Sequence, residues 1–114
     1  MATQDTTVTI VPYFKVRAGK IQELKALCER LVEKTKTEPS CLYYGFSFNG
    51  DIVFCSEGYE DAHAVLAHLQ NVGALLGELP NLIHFVRFEV HGGLWSESKS
   101  SLYTQIMRRI SCCR

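Results

Sequence analysis

His68 is the residue whose type and setting most readily suggest chemistry. It falls in an apolar stretch that follows Glu60-Asp61 and has helical spacing. An imidazole titrates near pH 6.5, and a single neighbour can tune it across neutrality, so His68 is the first candidate for a general base. The plainer alternative is a histidine on the shoulder of a helix, bonded to backbone and inert. His84 stands among Leu82, Val86 and Phe88, either as a substrate contact or as a satisfied core residue. Tyr43 and Tyr44 are adjacent in an extended run, so they leave it on opposite faces and at most one enters a given pocket. Tyr44 shares its parity with Phe46 and Phe48. Once buried, its hydroxyl needs a partner, and a substrate oxygen could serve. Tyr44 therefore joins His68 as a catalytic candidate, with Phe46 as apolar lining and Tyr43 as the alternative on the other face. Asn71 could cap the helix that carries His68 or reach a ligand carbonyl. Arg87 could clamp a substrate or pair with Glu89 on its own face. His63 and His91 read as exposed, without a role.

The five cysteines, Cys28, Cys41, Cys55, Cys112 and Cys113, contain no C-x-x-C pair. Zinc sites need recurring ligand spacings, so no metal site is expected. The odd count, with three cysteines inside apolar periodic segments, reads as free thiols in a reducing, cytoplasmic setting. The 114 residues make one domain. A formal net charge of zero argues against a general electrostatic grip on nucleic acid. No apolar run approaches the roughly 20 residues of a membrane span. Met1–Thr7 has neither the basic head nor the apolar stretch of a secretory signal.

The elements that must position these residues follow from periodicity. Residues 1–5 are expected to be disordered and 6–93 to form the domain. Residues 6–14 alternate as a strand, with Pro12 marking a bulge or an end. Ile21, Leu24, Leu27, Cys28, Leu31 and Val32 give residues 20–36 one helical stripe, which Glu38-Pro39-Ser40 terminates. Strands at 41–49 and 51–59 flank Asn49-Gly50, expected to form a type I′ hairpin turn. Leu42, Tyr44, Phe46 and Phe48 are assigned to one face, Cys41 and Tyr43 to the other. A second helix opens at Glu60-Asp61 and buries Ala62, Val65, Leu66 and Leu69, with His63 and His68 off the stripe. Asn71-Val72-Gly73 is expected to interrupt it, with a short helical turn to follow. A last strand, 81–91, sets Leu82, His84, Val86, Phe88 and Val90 on one face, opposite Ile83, Phe85, Arg87, Glu89 and His91. The order β-α-β-β-α-β predicts an α+β, ferredoxin-like sandwich. Both helices cover one sheet face. Apolar residues remain on the other, so a homodimer through that face is expected.

Three segments then resemble the antibiotic biosynthesis monooxygenase family. They are Phe14-Lys15-Val16-Arg17-Ala18-Gly19-Lys20, Glu38-Pro39-Ser40-Cys41-Leu42-Tyr43-Tyr44, and Glu57-Gly58-Tyr59-Glu60-Asp61 through Ala67-His68. The resemblance runs from about residue 8 to residue 92. It implies a dimeric α+β barrel and, as the leading activity, oxygenation of a small quinol- or anthrone-like aromatic by O₂ with no cofactor. It also places His68 at the family's Ala-His position. The alternatives are a non-catalytic barrel that binds a small hydrophobic ligand or acts in a stress response, and an isomerase or decarboxylase on the same fold. The haem-degrading branch carries an asparagine on the first strand, a tryptophan on the second helix and a histidine ten residues beyond. Here His68 stands at the tryptophan position and Glu78 at the histidine position, the first strand has no asparagine, and the single tryptophan is Trp95. Haem degradation is disfavoured. Residues 94–114 form a basic tail expected to hold a short helix, with Leu102, Tyr103, Ile106, Met107 and Ile110 as its stripe. That helix would pack on the barrel or, alternatively, seek a membrane surface through lipidated Cys112-Cys113. Membrane association is otherwise not expected.

Overall fold

The computed structural model describes residues 6–92. The expectations for residues 1–5 and for the tail from Gly93 onward, with Cys112 and Cys113, lie outside the described residues. The elements are β1 (Val8–Val16), α1 (Ile21–Thr35), β2 (Cys41–Asn49), β3 (Ile52–Tyr59), α2 (Ala62–Leu76), a 3-10 turn (Leu79–Asn81) and β4 (Ile83–Gly92). The four strands form one antiparallel sheet in the order β2-β3-β1-β4. This is the α+β, ferredoxin-like arrangement that the element order predicts.

Both helices lie on one sheet face. Leu24, Leu27, Cys28 and Leu31 of α1 and Val65, Leu69, Val72 and Leu76 of α2 bury against Val8, Ile10, Phe14 and Val16 of β1 and Val53 and Tyr59 of β3. Each fully buried aliphatic side chain contributes roughly 1.5–3 kcal/mol, so this layer drives the fold. Asp61 starts α2 by accepting a hydrogen bond from the Ala64 amide at 2.9 Å, which satisfies one of the helix's free donors.

Several expectations need correction. The second helix runs unbroken to Leu76 instead of stopping at Asn71. Gly73 costs about 1 kcal/mol in a helix, and burial of Val72, Leu75 and Leu76 outweighs it. With the helix extended, Val65, His68, Leu69 and Val72 form the buried stripe, and His68 lies on it instead of beside it. The hairpin loop is Gly50-Asp51, because Asn49 pairs with Ile52. Of the two loop residues only Gly50 has a positive φ, 64°, the pattern of a type II′ turn.

Two bulges reset the faces. In β4, Phe85 pairs with Phe14 and Arg87 with Tyr13, which leaves Val86 as an extra residue. Ile83 and Phe85 therefore face the helices before the bulge, and Phe88 and Val90 after it. His84 and Arg87 face outward together. In β2 the register shifts between Cys41 and Tyr43, so Cys41 and Tyr44 both lie on the helix side and Leu42 is exposed. Pro12 neither ends β1 nor leaves the core, but the β1–β3 pairing skips Val11 and Pro12. That gap, where a proline lacks its donor, lies in the wall of the cavity described next.

Candidate functional site

The candidate site lies between the sheet and the two helices. His68 is 3% exposed. Its Nδ1 lies 2.9 and 3.0 Å from the Glu38 carboxylate oxygens, and a carboxylate can only accept, so Nδ1 carries a proton and donates it. In the neutral ring Nε2 is then the bare nitrogen, and it faces Glu57 Oε1 at 3.8 Å. The rings of Tyr44 and Tyr59 flank the imidazole, with centroids 5.0 and 5.2 Å away.

Glu38 follows α1, and two things fix its carboxylate. Its backbone amide donates to Thr35 O. Asn71 Nδ2 on α2 donates to Glu38 Oε2 at 2.8 Å and to Lys34 O at 3.0 Å. Asn71 thus ties the end of α1 to α2 and holds the carboxylate against His68. On β3, Glu57 is buried among Cys55, Tyr59 and His68, with the Tyr59 hydroxyl donating to Oε1. Burial raises the Glu57 pKa, and the nearby Glu38 adds to this. His68 and the Tyr59 and Cys55 hydrogen bonds pull the other way. The Tyr44 hydroxyl is within hydrogen-bonding reach of the Cys55 thiol, and burial holds both groups well above their ordinary pKa values. Burial also pushes the Cys28 and Cys41 thiols up to about 12 and about 11, so neither is a thiolate nucleophile near neutral pH. The three described cysteines are all free thiols.

A cavity of about 30 Å³ adjoins this cluster. His68, Glu57, Tyr44 and Cys55 line its polar side; Pro12, Phe46, Leu69 and Phe88 are among its apolar walls. The space holds a water or two, or one small diatomic molecule.

The candidates from sequence divide between the two sheet faces. His68, Tyr44 and Phe46 converge on the cavity, and Asn71 acts one step behind it through Glu38 instead of capping α2. Tyr43 lies on the outer face, its hydroxyl 3.2 Å from Thr9 Oγ1. His84 is outside as well, with Arg17 Nη1 3.2 Å from its Nε2. Arg87 pairs with Glu89 and lies over the Tyr13 ring on that same face. His84, Tyr43 and Arg87 are thus not part of the cavity. Glu57 and Cys55 line it, and Glu38 and Tyr59 stand behind it against His68 and Glu57; none of the four was singled out from the sequence as a site residue. The inward parity of Glu57 with Val53, Cys55 and Tyr59 was the one available signal. Among the described residues no group of three or more His, Cys, Asp or Glu is arranged to hold a metal ion.

No curated protein matches the chain. Among solved structures, MupZ from Pseudomonas fluorescens is 40% identical with a TM-score of 0.79, over 93% of this chain and 81% of that one. Protein SO0527 from Shewanella oneidensis is 21% identical with a TM-score of 0.69, over 77% of this chain and 91% of that one. A candidate antibiotic biosynthesis monooxygenase from Caulobacter crescentus is 19% identical with a TM-score of 0.71, over 81% and 93%. The last two show likeness of fold alone. The family model for antibiotic biosynthesis monooxygenase matches residues 7–75, which span β1 to α2 and include both Glu38 and His68. On that match the chain belongs to the antibiotic biosynthesis monooxygenase family.

Proposed function

We propose that the chain is a cofactor-independent monooxygenase that takes the phenolic proton of a quinol- or anthrone-like aromatic and lets the resulting anion reduce O₂. The observation that carries this reading is the buried His68–Glu38 pair beside a small, largely apolar chamber of about 30 Å³. A deprotonated phenol brings its own electrons. The protein then need only orient it, accept its proton and exclude water. The hydrogen bond to Glu38 fixes the imidazole's orientation and stabilises its charged form when a proton arrives. A chamber this small and apolar suits O₂, whereas an aromatic ring needs about 150 Å³.

A homodimer belongs to the same reading. Tyr43 and Val86 are exposed on the outer sheet face, beside half-buried Val11, Tyr13 and Phe54. A two-fold contact would bury two copies of that surface and close the barrel.

The test is oxygen uptake by purified protein given a panel of quinols and anthrones. Acceleration over the uncatalysed rate with at least one of them, undiminished by a chelator, is expected. No acceleration across the panel contradicts the proposal.

Glu57 favours a second reading. Its carboxyl, whose pKa burial raises, stands 3.8 Å from His68 Nε2, and an isomerisation uses a paired acid and base without consuming O₂. Deuterium from solvent appearing in the product without oxygen uptake would select it.

A further inference from the structure

We infer that the ring of the organic substrate docks outside the small chamber, in a cleft between the end of α1 and the start of β2, with its hydroxyl donated to Glu38. This rests on the proposed phenol chemistry and adds the place where the phenol binds. The cleft has a volume of about 220 Å³, and Val32, Thr35, Glu38, Cys41, Tyr43 and Tyr44 line it, with Lys36 among its walls. An engineered apolar cavity of about 150 Å³ accepts benzene, so a ring fits this cleft but not the 30 Å³ chamber.

Two further observations point to a ligand. Thr35 is 4% exposed, and its Oγ1 makes no hydrogen bond. A buried hydroxyl without a partner costs about 1–3 kcal/mol, a cost that a ligand oxygen beside it removes. The Glu38–His68 hydrogen bond also runs from one space to the other, because Glu38 lines the cleft and His68 lines the chamber. A neutral phenol suits the cleft better than an acid. Its O–H can donate to the Glu38 carboxylate, which would repel an anion, and Lys36 is already paired with Glu33. On ionisation the phenolic O–H bond breaks, the electron pair stays on the oxygen, and the proton enters the His68–Glu38 pair at the Glu38 carboxylate. The Tyr44 ring is the wall common to both spaces.

The experiment is amide NMR of the full chain titrated with 1-naphthol in oxygen-free buffer. The largest shifts are expected at Val32, Thr35 and Cys41. Val32→Phe, which narrows the cleft away from the acid–base cluster, should weaken naphthol binding at least tenfold while the rest of its spectrum stays native. Shifts centred on Leu69, Leu79 and Phe88, or no binding at millimolar naphthol, would overturn the assignment. So would unchanged affinity in a folded Val32→Phe protein. Because no oxygen is consumed, a failed oxygenase assay with intact cleft binding refutes the oxygenase reading alone. Oxygen uptake with naphthol absent from the cleft refutes the docking site alone.

Discussion

Glu57 is a carboxyl group that folding withdraws from water, with His68 Nε2 at 3.8 Å from its Oε1. Desolvation, the largest cause, raises its pKa. In the unfolded chain a glutamate releases its proton near pH 4.3. Between that pH and the folded-state value the native protein keeps a proton that the unfolded chain has lost. Stability therefore falls as pH rises through that window and is constant above it, as far as this group is concerned. Glu57→Gln preserves the acceptor for Tyr59 but does not titrate. Urea midpoints from about pH 5 to about pH 8 should show wild type losing stability relative to the glutamine variant as pH rises. Parallel curves would contradict the assignment. His68 was legible in the sequence because an imidazole in an apolar helical stretch is chemically distinctive, although its place on the buried stripe was not. Glu38 was not, because before a proline it reads as the end of a helix, and nothing local announces that α2 returns to meet it. Glu57 reads as one charge in an acidic, aromatic stretch, and only the pairing with β1 and β2 places it inside.

The hairpin between β2 and β3 sets the register that brings Tyr44 opposite Glu57 and Phe46 opposite Cys55. Gly50 makes that two-residue turn possible, with φ at 64°. A β-branched residue there meets the left-handed penalty of about 1–2 kcal/mol. Gly50→Val should lower the melting temperature by about 4–8 °C for each kcal/mol lost. An unchanged melting temperature would mean that the turn relaxes to another type. All four strands and both helices were legible as elements from alternation and three-four spacing, while the continuation of α2 past Asn71 was not. The faces of β4 were not. Period-two counting holds only without insertions, and Val86 adds one residue that inverts the parity of everything beyond it. This placed His84 beside Phe88 in the sequence reading, while the structure sets them on opposite faces. The same error at Leu42 misplaced Cys41. Bulges leave little mark in a sequence whose strands are apolar on both sides.

At the scale of the molecule, the two helices cover one sheet face, and among the described residues nothing covers the other. The outer face carries exposed Val86 and Tyr43 together with Lys15, His84 and Arg87. Apolar centres with charged surroundings suit a self-complementary two-fold contact. Light scattering after size exclusion should report a dimer at micromolar concentration. Val86→Glu, at a site 56% exposed in the single chain, should shift it toward monomer with little loss of secondary structure. A wild-type monomer would remove this part of the account. The account's central claim is that the buried His68–Glu38 pair takes the substrate's proton. Its most direct measurement is oxygen uptake with an active quinol by wild type and by His68→Ala, each shown to be folded. A general base contributes about 10²–10⁴-fold, so the variant should be slower by that order. Equal rates above the uncatalysed background would contradict the claim.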